Sequence, residues 1–145
     1  MDNNNDKNVK QLNSFLRGEI AAVETYNQAI EKVEAPPVRT TLAQVRDSHN
    51  ERVLKLTQKI RQLGGVPDKH SGVWGTFAKA VEGTAKVGGV GPAISALEEG
   101  EDHGLSDYKG DLSDLSADLQ HFIVSEVLPA QRLTHDVMSR LQKTV

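Results

Sequence analysis

The chain has 145 residues, 26% of them charged, a formal net charge of −3 and no cysteine. That length can bury a sizeable core in one domain. Mild acidity without a basic face argues against nucleic-acid binding. The missing thiols exclude disulfides and thiolate metal ligands, which suits a cytoplasmic protein.

Residues 1–7, "MDNNNDK", are polar and lack the basic-then-apolar order of a signal peptide. They read as a disordered tail before a single domain over 8–145. No apolar run reaches the roughly 20 residues of a membrane span, so no membrane partner is expected. Beyond the tail, Leu12, Phe15, Ala22, Tyr26, Ala29 and Val33 step along one helical face, with Glu19 inside the stripe. "EAPPV" ends this helix, and Pro37 is well placed to open the next. The second helix carries Val38, Leu42, Val45, Val53, Leu56, Ile60 and Leu63. "LGGVP" stops it, with Gly64 suited to a left-handed C-terminal position and Pro67 beyond.

Residues 64–92 are glycine-rich, yet Trp74, Phe77 and Val81 recur at helical spacing. The spacing predicts a short helix inside a long crossover, since a structureless loop of that length is unusual in a compact domain. "VGGVGP" at 87–92 has neither a preceding strand nor a Gly-Lys-Ser/Thr, so it is a linker and not a phosphate loop. A third helix opens at Pro92 and runs through Ile94, Leu97, Glu101, Gly104, Tyr108 and Leu112. Ser113 or Ser116 can cap a fourth. That helix carries Leu119, Phe122, Ile123, Val127, Leu133, Val137 and Leu141, with Pro129 marking a kink or a late start. The run "EEGEDH" at 98–103 spreads around a helix as a solvated face, where Glu99 and His103 could hold a surface ion weakly.

The first and third helices match at an offset of 82: "GEIAAVETY" at 18–26 falls on "GEDHGLSDY" at 100–108. Glu19 thereby meets Glu101, and Tyr26 meets Tyr108. Gly18 and Gly100, costly in a helix, suggest close helix approach. An offset of 86 superposes the second and fourth helices through Arg46 on Arg132 and His49 on His135. The chain thus reads as two copies of one helical hairpin, and the fold class is all-α.

These features resemble the ferritin-like superfamily, and in particular a bacterial branch of unknown function related to rubrerythrin and ferritin and often described as stress-related. The resemblance implies a four-helix bundle of two hairpins joined by a long crossover. It also implies a core metal site built from a Glu on each of two helices and a Glu-x-x-His on each of the others. Here "RDSH" (46–49) and "RLTH" (132–135) stand in place of that motif. The preferred expectation is therefore a core polar network of Glu19, Tyr26, Arg46, Glu101, Tyr108 and Arg132. Its charges already balance, so no cofactor is expected. The protein would then be non-catalytic or degenerate, with a structural or interaction role. A rival expectation keeps one Fe, Mn or Zn ion on Glu19, His49, Glu101 and His135, in an oxidase or iron-handling protein. A third is a dimeric adaptor meeting its partner, a second copy included, through the exposed crossover helix at Trp74.

Overall fold

A computed structural model describes residues 3–71 and 90–145, and the crossover helix expected at Trp74, Phe77 and Val81 lies outside these described residues. The order is α1 (Asn3–Lys32), α2 (Pro36–Gln62), α3 (Val90–Gly110), a 3-10 turn (Leu112–Asp114), then α4 (Ala117–Phe122), a π turn (Ile123–Val127) and α5 (Leu128–Thr144). The last three form one continuous rod, so the described residues make a bundle of four helices without strands.

Helix α1 starts at Asn3, so from that residue on the segment expected to be a disordered tail is helical. Two polar side chains of its first turns have partners. Asn5 donates to the Leu63 carbonyl at 2.8 Å, while Asn8 accepts from the Ser116 backbone N–H at 3.1 Å. They tie the first turns of α1 to the end of α2 and to the start of α4. Ser116 stands at the N-cap position of α4, although its hydroxyl caps nothing there.

Helix α2 opens on Pro36 and Pro37, whose missing N–H groups would have been orphaned in any case. It closes as its glycines imply. Gly64 takes φ +79°, its N–H donates to Arg61, and the Gly65 N–H reaches back to Ile60, so the last carbonyls are satisfied in a Schellman arrangement. Residues 66–71 then climb along α1: Asn13 bonds Val66 and Asp68, Arg17 pairs with Asp68 at 2.5 Å, and Ser71 donates to Glu24 at 3.1 Å. Helix α3 begins at the opposite end of the bundle, where Ile94 packs with Val33 and Leu42. The end of α2 and the start of α3 therefore lie at opposite ends of the bundle.

The fourth rod carries its irregularity just before Pro129, which sits in the first turn of α5. A proline there cannot donate and crowds the carbonyl four residues earlier. The π turn at Ile123–Val127 takes up one residue more than an α turn and relieves that conflict.

The core falls into two apolar layers. One joins Leu12, Leu16, Leu56, Ile60, Phe122 and Ile123; the other joins Tyr26, Leu42, Val45, Ile94, Leu97 and Met138. Between them lies a layer of buried polar side chains: Glu19, His49, Arg52, Glu101, Gln131 and Thr134. Isolated charges in such a place would be very costly, so their partners decide what the layer is.

Candidate functional site

Glu19 on α1 and Glu101 on α3 face each other across the middle of the bundle, with His49 of α2 between them. His49 Nδ1 lies 2.7 Å from Glu19 Oε2, and Nε2 lies 2.6 Å from Glu101 Oε2. With both glutamates ionised and able only to accept, both contacts are hydrogen bonds only if both ring nitrogens carry protons, which makes the ring an imidazolium. Burial alone would lower the His49 pKa, but the carboxylates of Glu101 and Glu19 outweigh it and hold it above the usual histidine range.

Arg52, one turn along the same face of α2, is 1% exposed. Its Nη1 lies 3.4 Å from Glu19 Oε1 and also donates to Gln131 Oε1, while Nη2 donates to Thr134 at 3.1 Å and to Ser48 at 3.2 Å. The tyrosines bond crosswise: Tyr108 of α3 donates to Glu19 at 2.7 Å, and Tyr26 of α1 donates to Glu101 at 2.6 Å. Tyr26 also stacks on the His49 ring, centroids 5.3 Å apart. From α5, Thr134 and Gln131 donate to Glu101 Oε1 at 2.6 and 3.2 Å.

Every carboxylate oxygen at the centre accepts at least one hydrogen bond. Two carboxylates face one imidazolium and one guanidinium, so the formal charge sums to zero. Burial pushes the Glu101 pKa up, but His49 and the hydroxyl donors overcome it and bring the group down to about 2. Glu19 is lowered likewise, with Arg52 the foremost of its charged partners against burial. Burial and the adjacent carboxylates drive both tyrosines well above their ordinary range, so they remain phenols. A cavity of about 70 Å³ between α1 and α3 reaches this layer; Gly18, Ala22, Gly100 and Gly104 are among its lining residues. Gly104 has a packing reason of its own: a Cβ there would meet Gln131 Nε2 at 2.9 Å, close enough to push that amide off Glu101.

A family model described as a domain of unknown function (DUF2383) matches residues 7–114, most of the chain. The chain belongs to the DUF2383 family. The DUF2383 chain is also similar to a solved structure described as ferritin-like, diiron-carboxylate proteins from Bacillus anthracis str. Ames. The TM-score is 0.77, with 98% of this chain and 99% of the other covered at 17% identity, so the ferritin-like fold is shared. Comparison with curated proteins gives no match.

Of the residues expected at the centre of this DUF2383 chain, Glu19, Tyr26, His49, Glu101 and Tyr108 converge there. Arg46, Arg132 and His135 do not. Arg46 turns outward to Asp47 and Asn27. Arg132 is exposed. His135, 22% exposed, sits on the bundle's flank beside Glu98 and Asp102. The expected Glu–Arg pairing is present, but its arginine is Arg52. The offset of 86 misplaces the partners. Carrying the first hairpin's offset of 82 through α2 places His49 on Gln131 and Arg52 on Thr134, the residues that meet at the centre. A second signal lies in the seam itself. Val45, His49, Arg52, Leu56 and Val127, Gln131, Thr134, Met138 both step four, three, four.

A two-metal carboxylate centre needs Glu-x-x-His on two helices. Here those i, i+3 places hold His49 with Arg52 and Gln131 with Thr134. They bring no carboxylate, and Arg52 brings a permanent positive charge. The donor set does not fit a two-metal centre.

Proposed function

We propose that this chain is a degenerate ferritin-like bundle that closes its centre with its own cations and acts as a structural or interaction protein, not as a metal-dependent oxidase. One observation carries the reading: the His49 imidazolium and the Arg52 guanidinium supply, inside the bundle, the positive charge that Glu19 and Glu101 require. A dication added beside them would lack compensating anions in a poorly screened interior. The one-ion alternative loses support because His135 is on the flank, away from Glu19, His49 and Glu101. The diiron-carboxylate description of the similar structure belongs to that protein; here a two-metal centre would need ligands that His49, Arg52, Gln131 and Thr134 do not offer. A cytoplasmic setting, expected from the sequence, and a part in a stress response, which rests on the family resemblance alone, complete the proposal.

Crystals grown with ferrous iron or manganese test this. The expected anomalous map has no peak at the bundle centre, and ferrous iron is oxidised aerobically no faster than in buffer. A peak coordinated by Glu19, His49 and Glu101, with turnover lost in Glu101→Ala, would overturn the proposal.

A further inference from the structure

Outside the central layer, a second group of ligating side chains comes together on the flank where α3 packs on α5. Glu98 and Asp102 lie one turn apart on α3, and His135 approaches from α5. One ligand atom from each lies within 4.8 Å of the others. His135 Nε2 is 3.8 Å from Glu98 Oε1 and in hydrogen-bond contact with Asp102 Oδ1. Its other nitrogen, Nδ1, lies 3.4 Å from Asp136 Oδ1. The ring therefore presents Nε2 to two carboxylates while a third carboxylate stands behind it. That is the arrangement by which proteins orient a metal-bound imidazole.

We propose that Glu98, Asp102 and His135 form a surface site for a single divalent transition-metal ion. Two features favour a cation over a plain ion pair. Even with the imidazole protonated, three carboxylates around it leave a net charge of −2, and two of them sit at i, i+4 on one helix, where like charges repel. A dication between them removes both problems. Two of the three positions are also partly fixed, since the Glu98 and His135 side chains are 16% and 22% exposed, against 58% for Asp102. Two carboxylate oxygens and one imidazole nitrogen, with room for water on the open side, suit Zn²⁺, Co²⁺, Mn²⁺ or Fe²⁺. Mg²⁺ and Ca²⁺ take oxygen ligands and would gain little from His135. The ion would replace the hydrogen bond between His135 and Asp102. This site does not rest on the proposed function: it stands whether or not the centre holds metal.

The test is titration of the untagged full chain with CoCl₂ and ZnCl₂, read by calorimetry and by the visible bands of bound Co²⁺. One ion per chain is expected, with affinity reduced at least tenfold in His135→Ala and again in Glu98→Gln, both on the bundle's flank outside the central layer, where folding should survive. Circular dichroism melts confirm that each variant is folded. MgCl₂ should not compete. No stoichiometric binding, or binding unchanged in the His135→Ala, Glu98→Gln double variant, would overturn the site. Binding lost in Glu101→Gln but kept in that double variant would overturn both this site and the metal-free centre.

Discussion

Replacing Arg52 by methionine is expected to lower the unfolding free energy by about 3–5 kcal/mol, the usual cost of stranding the partner of a buried ion pair. Methionine keeps most of the side chain's length and flexibility, so packing loss contributes little. What disappears is the guanidinium beside Glu19, together with its bonds to Gln131, Thr134 and Ser48. Glu19 keeps His49 and Tyr108, but the central layer then carries one uncompensated negative charge. Against a total stability of about 5–15 kcal/mol the effect is large, and for a chain this size it corresponds to a Tm lower by roughly 10–20 °C. Adding Glu19→Gln to Arg52→Met restores charge balance. The double variant is therefore expected to be more stable than the two single losses combined would allow, the mark of direct coupling. Arg46→Ala, at a solvent-facing position, should stay within about 0.5 kcal/mol of the parent. Urea unfolding of the parent and these variants measures all of this. An Arg52→Met variant that loses less than about 1 kcal/mol would mean that Arg52 does not balance Glu19.

The second large effect is a gain. The variant His49→Glu, Arg52→His, Gln131→Glu, Thr134→His places a Glu-x-x-His on α2 and another on α5 opposite Glu19 and Glu101. It is expected to take up two ferrous or manganous ions per chain at the bundle centre, where the proposed function expects none in the parent. Four carboxylates now balance two dications, and each new i, i+3 pair shares one helix face. Without metal, the same four carboxylates crowd a buried layer. The apo variant should therefore be far less stable than the parent and should recover on adding metal, because binding free energy becomes folding free energy. Metal analysis and thermal melts with and without Mn²⁺ decide it, in a His135→Ala background that silences the flank. A variant that folds without metal and binds none would show that positions 49, 52, 131 and 134 are not the ligand places the geometry indicates.

Much of the architecture can be read from the residues because it is written in local patterns. The apolar stripes, the double proline at 36–37 and the glycine pair at 64–65 mark α1 and α2 through constraints that act within a few residues. Glu19 and Glu101 are legible because each interrupts an otherwise apolar stripe one heptad before a tyrosine. The arginine partner is harder. Arg46 and Arg52 both lie within a helical turn of His49, and spacing alone does not say which flank of the helix meets α1 and which meets solvent. The match of Arg-x-x-His at 46–49 and 132–135 is a coincidence of letters: the buried seam runs through His49 and Arg52 and, at the offset of 82, through Gln131 and Thr134, which leaves Arg132 and His135 off the central face. Gln131 and Thr134, being neutral, carry no charge signal in the sequence, only their places in the seam and at the offset of 82. They become meaningful only when Glu101 is seen to need donors.

The closed centre depends on His49 being a cation held between two carboxylates, and ¹⁵N NMR of the labelled imidazole tests that directly, with His49→Gln to assign the signal. The expected spectrum shows both ring nitrogens protonated at pH 7, with titration only above the ordinary histidine pKa of 6.5. The linked stability has a definite sign. The His49 contribution is full below pH 6.5 and fades as pH rises through its elevated pKa. The Glu101 contribution is full above pH 4.5 and is lost as pH falls toward about 2. A His49 ring that is neutral at pH 7, with one nitrogen bare, would contradict this: the centre would then lack the charge that leaves it no place for a metal.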